Sequence, residues 1–301
     1  MVEGERPKLN KKKEVKVVKK VKHLLKRLGC PRWLHHFGPK TYEFYEHLVP
    51  LLIKYFCKGL SYRKVVQLLD LLGFNCPSKS ALQYTAKKIK GNLWNRILAL
   101  TSGIKHYIIA LDGTGFSMTN PSYHYLKRID GKPPKKYVKL SASFDTKLKK
   151  WCSAKVRIIP RHDMKDAEHL LKKVQTRKVV ADKAYDAESL HQYCAEHNIE
   201  AHIPLKNYGK ARHYIQSYRR KAAKKFHKKT YGRRQIIESG ISSVKRKFGS
   251  SVSSKTARTI RAEVYGKLIC HNIFSYFIEV LGQSRIHHLG FVRSFNLKTE
   301  K

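Results

Sequence analysis

His106 to Phe116 reads HYIIALDGTGF. Tyr107-Ile108-Ile109-Ala110-Leu111 is an apolar, β-branched run of strand length, the pattern of a central strand in a sheet. It closes on Asp112. Gly113 and Gly115 follow and leave room for backbone or a ligand to come close. A charge beside a buried strand is costly unless it is paired or bound to a metal. Taken alone, Asp112 also reads as a turn cap after a strand.

Similar runs continue outward: YVKLSASFD (137–145), WCSAKVRIIP (151–160), KVVAD (178–182) and IEAHIPL (199–205). Helical patterns, MKDAEHLLKKV (164–174) and ESLHQYCAEH (188–197), separate the third strand from the fourth and the fourth from the fifth. The order predicts an α/β fold, with three strands in an antiparallel meander and later strands joined through helical crossovers. Asp182 repeats the Asp112 pattern after Lys178-Val179-Val180-Ala181.

A third acid lies in YGRRQIIESGISSVK (231–245). At about 100° per residue, Tyr231, Arg234, Glu238 and Lys245 share one face of a helix, with a single carboxylate among cations and a phenol. Three carboxylates in these contexts suit hard divalent ions such as Mg²⁺ or Mn²⁺. Two ions about 3.5–4 Å apart activate a water or a 3′-hydroxyl and stabilise the leaving oxygen of an in-line displacement at phosphorus. On that reading Asp112 bridges both ions, Asp182 binds one and Glu238 the other.

Asp112 in ALDGTGF, Asp182 in VVADKAYD and the spacing Tyr-x2-Arg-x3-Glu-x6-Lys resemble the DDE transposases of prokaryotic insertion sequences, in particular the group with a Tyr-Arg-Glu-Lys signature. The resemblance covers roughly residues 104–280. It implies a ribonuclease-H-like mixed sheet flanked by helices, two divalent metal ions, cleavage at transposon ends and strand transfer into target DNA. Asp112, Asp182 and Glu238 would be catalytic and metal-binding. Tyr231 and Arg234 would contact a phosphate near the cleaved bond, and Lys245 would hold a phosphate or support the leaving group. The gap from Asp182 to Glu238, 56 residues, leaves no room for the sizeable β-rich insertion of some members, so a compact core is expected. An idle, domesticated DNA-binding protein and a nuclease of the same fold without strand transfer remain as alternatives.

Charge agrees with a polyanionic partner. The 301 residues hold 64 Lys+Arg against 21 Asp+Glu, a formal net charge of +43. Self-repulsion of that size suits nucleic acid, whose neutralised phosphates release counterions; an anionic membrane surface or a ribosome would also fit the charge. Double-stranded DNA, as terminal inverted repeats and target, is the expected partner, with a homodimer pairing two ends. Between Lys206 and Arg234 there are twelve Lys or Arg and no acid, with Tyr208, Tyr214, Tyr218 and Phe226 interleaved. Cations among aromatics suit nucleic acid, and Arg219 and Arg220 are taken as phosphate contacts.

Residues 1–40 read as a basic arm, in which Val15, Val18, Val21, Leu24, Leu25 and Leu28 recur at helical spacing: either a basic amphipathic helix that could order on DNA or a solvated tail with helical tendency. Residues 41–103 form a helical DNA-binding domain. Within it Ser61 is placed to cap a helix through Leu72, Gly73 to end it and Ser78 to cap the next. This helix-turn-helix-like unit would present Lys79, Gln83 and Lys87 to a groove. Residues 104–282 are the catalytic domain and 283–301 a tail. The six cysteines are scattered without a CxxC pair, which argues against a zinc or disulfide framework. No signal-peptide core or bilayer-length apolar run is present, so a cytoplasmic, nucleoid-associated protein is expected.

Overall fold

The computed structural model describes residues 16–34, 39–103, 105–118, 137–206 and 217–274. The N-terminal stretch 1–15, the segment 207–216 with Tyr208 and Tyr214, and the tail 283–301 lie outside these residues.

Five helices come first: α1 (Lys16–Arg27), α2 (Phe44–Phe56), α3 (Tyr62–Leu71), α4 (Lys79–Lys88) and α5 (Gly91–Ser102). The expected caps form. Ser61 Oγ accepts from Lys64 N at 3.2 Å and Ser78 Oγ from Ala81 N at 3.3 Å. Gly73 ends the α3 turn with φ of 65°, a conformation that favours glycine. Lys79, Gln83 and Lys87 are exposed along α4.

The sheet follows: β1 (Lys105–Ser117), β2 (Tyr137–Asp145), β3 (Lys150–Arg157), α6 (Met164–Leu171), β4 (Gln175–Ala181), α7 (Glu188–Glu196) and β5 (Glu200–His202). Strand order is β3-β2-β1-β4-β5. β1 runs antiparallel to β2, β2 antiparallel to β3, and β4 lies parallel to both β1 and β5. A meander followed by two crossover strands is the ribonuclease-H-like arrangement. The chain closes with α8 (Ser217–Lys224), α9 (Lys228–Tyr231), a 3₁₀ turn (Gly232–Arg234), α10 (Gln235–Phe248) and a helix α11 over residues 257–274. Among the described residues between Asp182 and Glu238 the only strand is three-residue β5, in keeping with a compact core.

The two sheet faces bury different sets. Ile109, Leu111, Val179 and Ala181 pack against Ala167, Leu170 and Leu190 of α6 and α7. Ala110, Phe116, Phe144 and Trp151 face the larger cluster, with α10, α11 and the five N-terminal helices. The boundary expected at 103/104 is not a gap in packing: Asn95 of α5 exchanges two hydrogen bonds with the Ala154 backbone at 2.8 and 3.0 Å, and Cys270 Sγ donates to Leu52 O. Residues 16–27 form α1, which packs on this core. Val21, Leu24 and Leu25 are buried, because a helix with one apolar stripe gains most by docking it.

Candidate active site at the carboxyl edge of the sheet

β1 and β4 pair in parallel as far as Leu111 and Ala181, which are register partners. The next residues, Asp112 and Asp182, therefore leave this pairing side by side. Asp182 stands beyond β4, where its Oδ1 accepts from Lys183 N at 2.7 Å. Asp112 is not at a strand end. Gly113 to Ser117 stay paired to β2, opposite Ser141 to Tyr137, so β1 continues past the acid and Asp112 sits mid-strand opposite Ala142. Only the parallel neighbour has ended there. By the two-residue alternation of a strand, Asp112 shares the face of Phe116.

α10 presents the third acid to that face. It buries Ile237, Gly240, Val244 and Phe248, and Gly240 lets it lie close to β2: a Cβ there would meet Phe144 Cζ at 2.9 Å. Glu238 lies in the first turn, where the helix dipole favours a carboxylate. The stretch 231–245 is not one helix. Tyr231 ends α9 and Arg234 closes the 3₁₀ turn before α10 begins, and Gly232 at the junction weakens helical continuity. The i,i+4 relation survives, with Arg234 Nη2 2.7 Å from Glu238 Oε1. Tyr231 packs on Phe226, ring centroids 5.5 Å apart. Lys245 Nζ lies 5.7 Å from the Phe116 ring centre, and burial lowers its pKa from the ordinary lysine value.

The electrostatics tie these groups together. Burial, with the neighbouring charges of Glu238 and Asp163, pushes the Asp112 carboxyl up, against a bond from Gly113 N and the Arg234 charge. Arg234 also feels Glu238 and Asp182, which favour its charged form against the cost of burial. Arg234 thus contacts Glu238, and its charge also acts on Asp112 and Asp182.

Asp163, the residue before α6, is a further acidic neighbour. A Cβ on Gly113 would fall 2.1 Å from Asp163 Oδ1, so glycine there is what lets this carboxylate close on β1. Lys139 Nζ holds it at 3.0 Å. Tyr185, 1% exposed, has a hydroxyl without a hydrogen-bond partner among the described residues, and Asp163 and Asp112 lead the charges that push its pKa up after burial.

Arg219 requires a correction. It is buried, and its guanidinium faces inward to Asp186, with Nε 2.9 Å from Oδ1. His191 Nε2 and Lys206 N complete the Asp186 shell at 3.1 and 2.7 Å. Burial alone would raise this carboxyl, but these bonds hold it well below the usual range. Arg220, the next residue, is exposed.

A hard-oxygen donor set under mutual repulsion fits divalent ions, and Asp112, Asp182 and Glu238 are the residues that would hold them. Among the described residues no three His, Cys, Asp or Glu side chains converge closely enough to grip an ion, Glu238 being turned to Arg234.

Sheet order and this acidic corner define a ribonuclease-H-like protein. The transposase DDE domain model matches residues 103–273, more than half of the 301. The chain belongs to that family. Comparison with curated proteins gave no match. Among solved structures, the piggyBac transposase synaptic complex with hairpin DNA is 11% identical over 87% of this chain and 73% of that one, with a TM-score of 0.36. The simian T-cell lymphotropic virus intasome in complex with PP2A regulatory subunit B56 gamma is 12% identical over 72% of this chain and 67% of that one, TM-score 0.31. The Mos1 transposase paired-end complex with left transposon end is 11% identical over 84% of this chain and 87% of that one, TM-score 0.23. At this level of similarity the sheet order itself carries the fold assignment. No helix among the described residues is long and apolar enough to cross a membrane.

Proposed function

We propose that the protein is a transposase that cleaves DNA at the ends of an insertion sequence and joins the freed 3′ ends to target DNA. The observation that carries this is the placement of Asp112 and Asp182 beyond register partners Leu111 and Ala181, with Glu238 linked to both through Arg234. When bound, divalent ions (Mg²⁺ or Mn²⁺, two in this reading) supply Lewis acidity to the phosphoryl oxygens. Asp112, Asp182 and Glu238 hold and orient that charge. Arg234 keeps Glu238 in place before DNA arrives, then offers its remaining N–H groups to a phosphate near the cleaved bond. Tyr231, fixed against Phe226, orients the same strand, and Lys245 faces the Asp112 side of β1 to stabilise charge on the leaving oxygen. Lys79, Gln83 and Lys87 of α4 would enter a groove of the end sequence, with Arg220 on the backbone. The spacing of Tyr231, Arg234, Glu238 and Lys245 supports the group with the Tyr-Arg-Glu-Lys signature, and two ends joined in concert call for a homodimer on DNA.

The test compares Asp112→Ala, Asp182→Ala and Glu238→Ala with the unaltered chain on duplexes carrying element ends and a target plasmid. Each variant is expected to bind the ends and to lose metal-dependent cleavage and joining. Undiminished cleavage by any one removes the proposal. Cleaved ends that never join identify a nuclease, and binding without cleavage by the unaltered chain identifies an idle DNA-binding protein.

A further inference from the structure

Two adjoining cavities lie away from the acidic corner, on the β3 side of the molecule. The larger, about 630 Å³, is walled by the end of β3 with Lys155 and Arg157, by Arg161 beyond it, by Lys173 after α6 and by Arg261 of α11. The smaller, about 300 Å³, is lined by Lys87, Lys88 and Lys90 around the end of α4 and by Arg258 and Arg261. They share Gly91 and Arg261. Arg258 and Arg261 are three residues apart on α11 and so point the same way. Neither lining contains an acid.

The Arg161 end of the trough lies toward Gly113, the residue after Asp112. Lys155 pairs with Ser141 of β2, and Ser141 with Gly113 of β1. Lys155 is thus two strands across from Gly113, about 10 Å at ordinary strand spacing, on the α6 face of the sheet, whereas Asp112 faces α10. Lys139 bridges the interval, donating to Arg161 O and pairing with Asp163. Among the described residues no carboxylate pairs with Lys155, Arg161 or Arg261, while Arg157 is neutralised by Asp166, its Nε 2.9 Å from Oδ1. His169, on the same wall, is pushed down by burial and then by Lys155 and Lys173, against the Asp166 charge. Lys155 is half-buried and Arg161, Arg258 and Arg261 are exposed around this concave surface, and the mutual repulsion of such cations is relieved when a polyanion enters.

We propose that this trough holds the sugar-phosphate backbone of duplex DNA, carrying it from the end of α4 across β3 toward Gly113. The proposal rests on the reading of the chain as a transposase. It assigns Lys155, Arg161, Arg258 and Arg261 to phosphates rather than to bases, so their contribution is independent of sequence.

The experiment measures the dissociation constant of the full chain for an end-bearing duplex and an unrelated duplex across a potassium chloride series. Lys155→Gln/Arg261→Gln is compared with Lys147→Gln/Lys149→Gln, which removes the same charge from the exposed β2–β3 turn at the opposite end of the sheet. The trough variant is expected to weaken binding to both duplexes alike and to lower the slope of log affinity against log salt by about two. The turn variant is expected to keep the unaltered slope. An unchanged slope in the trough variant, or an equal drop in both, overturns the proposal. Cleavage at saturating DNA is scored separately. If the unaltered chain never cleaves, the transposase reading fails while the slopes still report on the trough.

Discussion

Arg234 lies 2.7 Å from Glu238, four residues on, and its charge also acts on Asp112 and Asp182. Glu238 is half exposed (49%), so the pair itself is worth at most about 1 kcal/mol to folding. Its value is positional. Arg234→Gln should therefore leave the melting temperature within a few degrees while lowering the end-cleavage rate by about 10²-fold, the scale seen when one preorganised charge-stabilising donor is lost. A large drop in melting temperature with proportionate loss of activity would place Arg234 in the scaffold instead.

Gly240 sets the distance between α10 and the sheet. A Cβ there meets Phe144 Cζ at 2.9 Å, and Phe144 is backed by buried Trp151, ring centroids 4.6 Å apart. Gly240→Ala should overpack the contact, costing about 1–3 kcal/mol, and shift Glu238 with it. Adding Phe144→Leu should recover most of the stability and part of the cleavage rate. Additive losses in denaturation and cleavage assays would show that the two sites do not share a contact.

Much of this was readable in the chain. The β-branched runs around Ile108-Ile109, Val138-Leu140 and Val179-Val180 marked the strands because buried strands need continuous apolar residues, and Ser61, Gly73 and Ser78 marked helix ends through local hydrogen bonding. What was hidden depends on contacts far apart in sequence. Asp112 read as a strand end, since nothing in Gly113–Ser117 announces pairing to β2 after β4 has stopped. Asp163 stands just before a helix in the sequence, and its place beside β1 follows from Gly113, fifty residues earlier, lacking a side chain. Nothing local in the sequence links His106 to Asp145, yet its Nδ1 lies 2.6 Å from that buried carboxylate. Arg219 looked like one more cation in a basic run, and only the fold brings it to Asp186.

That last pair gives a contrast between adjacent residues. Arg219→Ala leaves Asp186 buried without its main countercharge and should cost about 3–5 kcal/mol in chemical denaturation. Arg220→Ala, at an exposed position, should leave stability within about 0.5 kcal/mol. Its effect is expected on DNA affinity. Equal effects of the two on stability would contradict the assignment.

His271 builds in a pH dependence. Burial, with Lys247 nearby, lowers its pKa from 6.5 to about 4. Above about pH 6.5 the imidazole is neutral in both states and the stability is fully present. As pH falls from there towards about 4, the unfolded chain takes up a proton that the folded chain refuses, and about 3 kcal/mol is lost. His271→Gln should flatten that part of the stability profile, measured by urea unfolding across this range. A profile as steep as the original would assign the loss to other groups.

The central claim is that Asp112, Asp182 and Glu238 hold the divalent ions for DNA cleavage, and a ligand swap tests it most directly. A thiolate is a softer ligand than a carboxylate and a poor one for Mg²⁺. Cleavage of an end-bearing duplex by Asp182→Cys should be abolished with Mg²⁺ and regained in part with Mn²⁺, at unchanged DNA affinity. Cleavage by Asp182→Cys in Mg²⁺ at the rate of the unaltered chain would contradict the account.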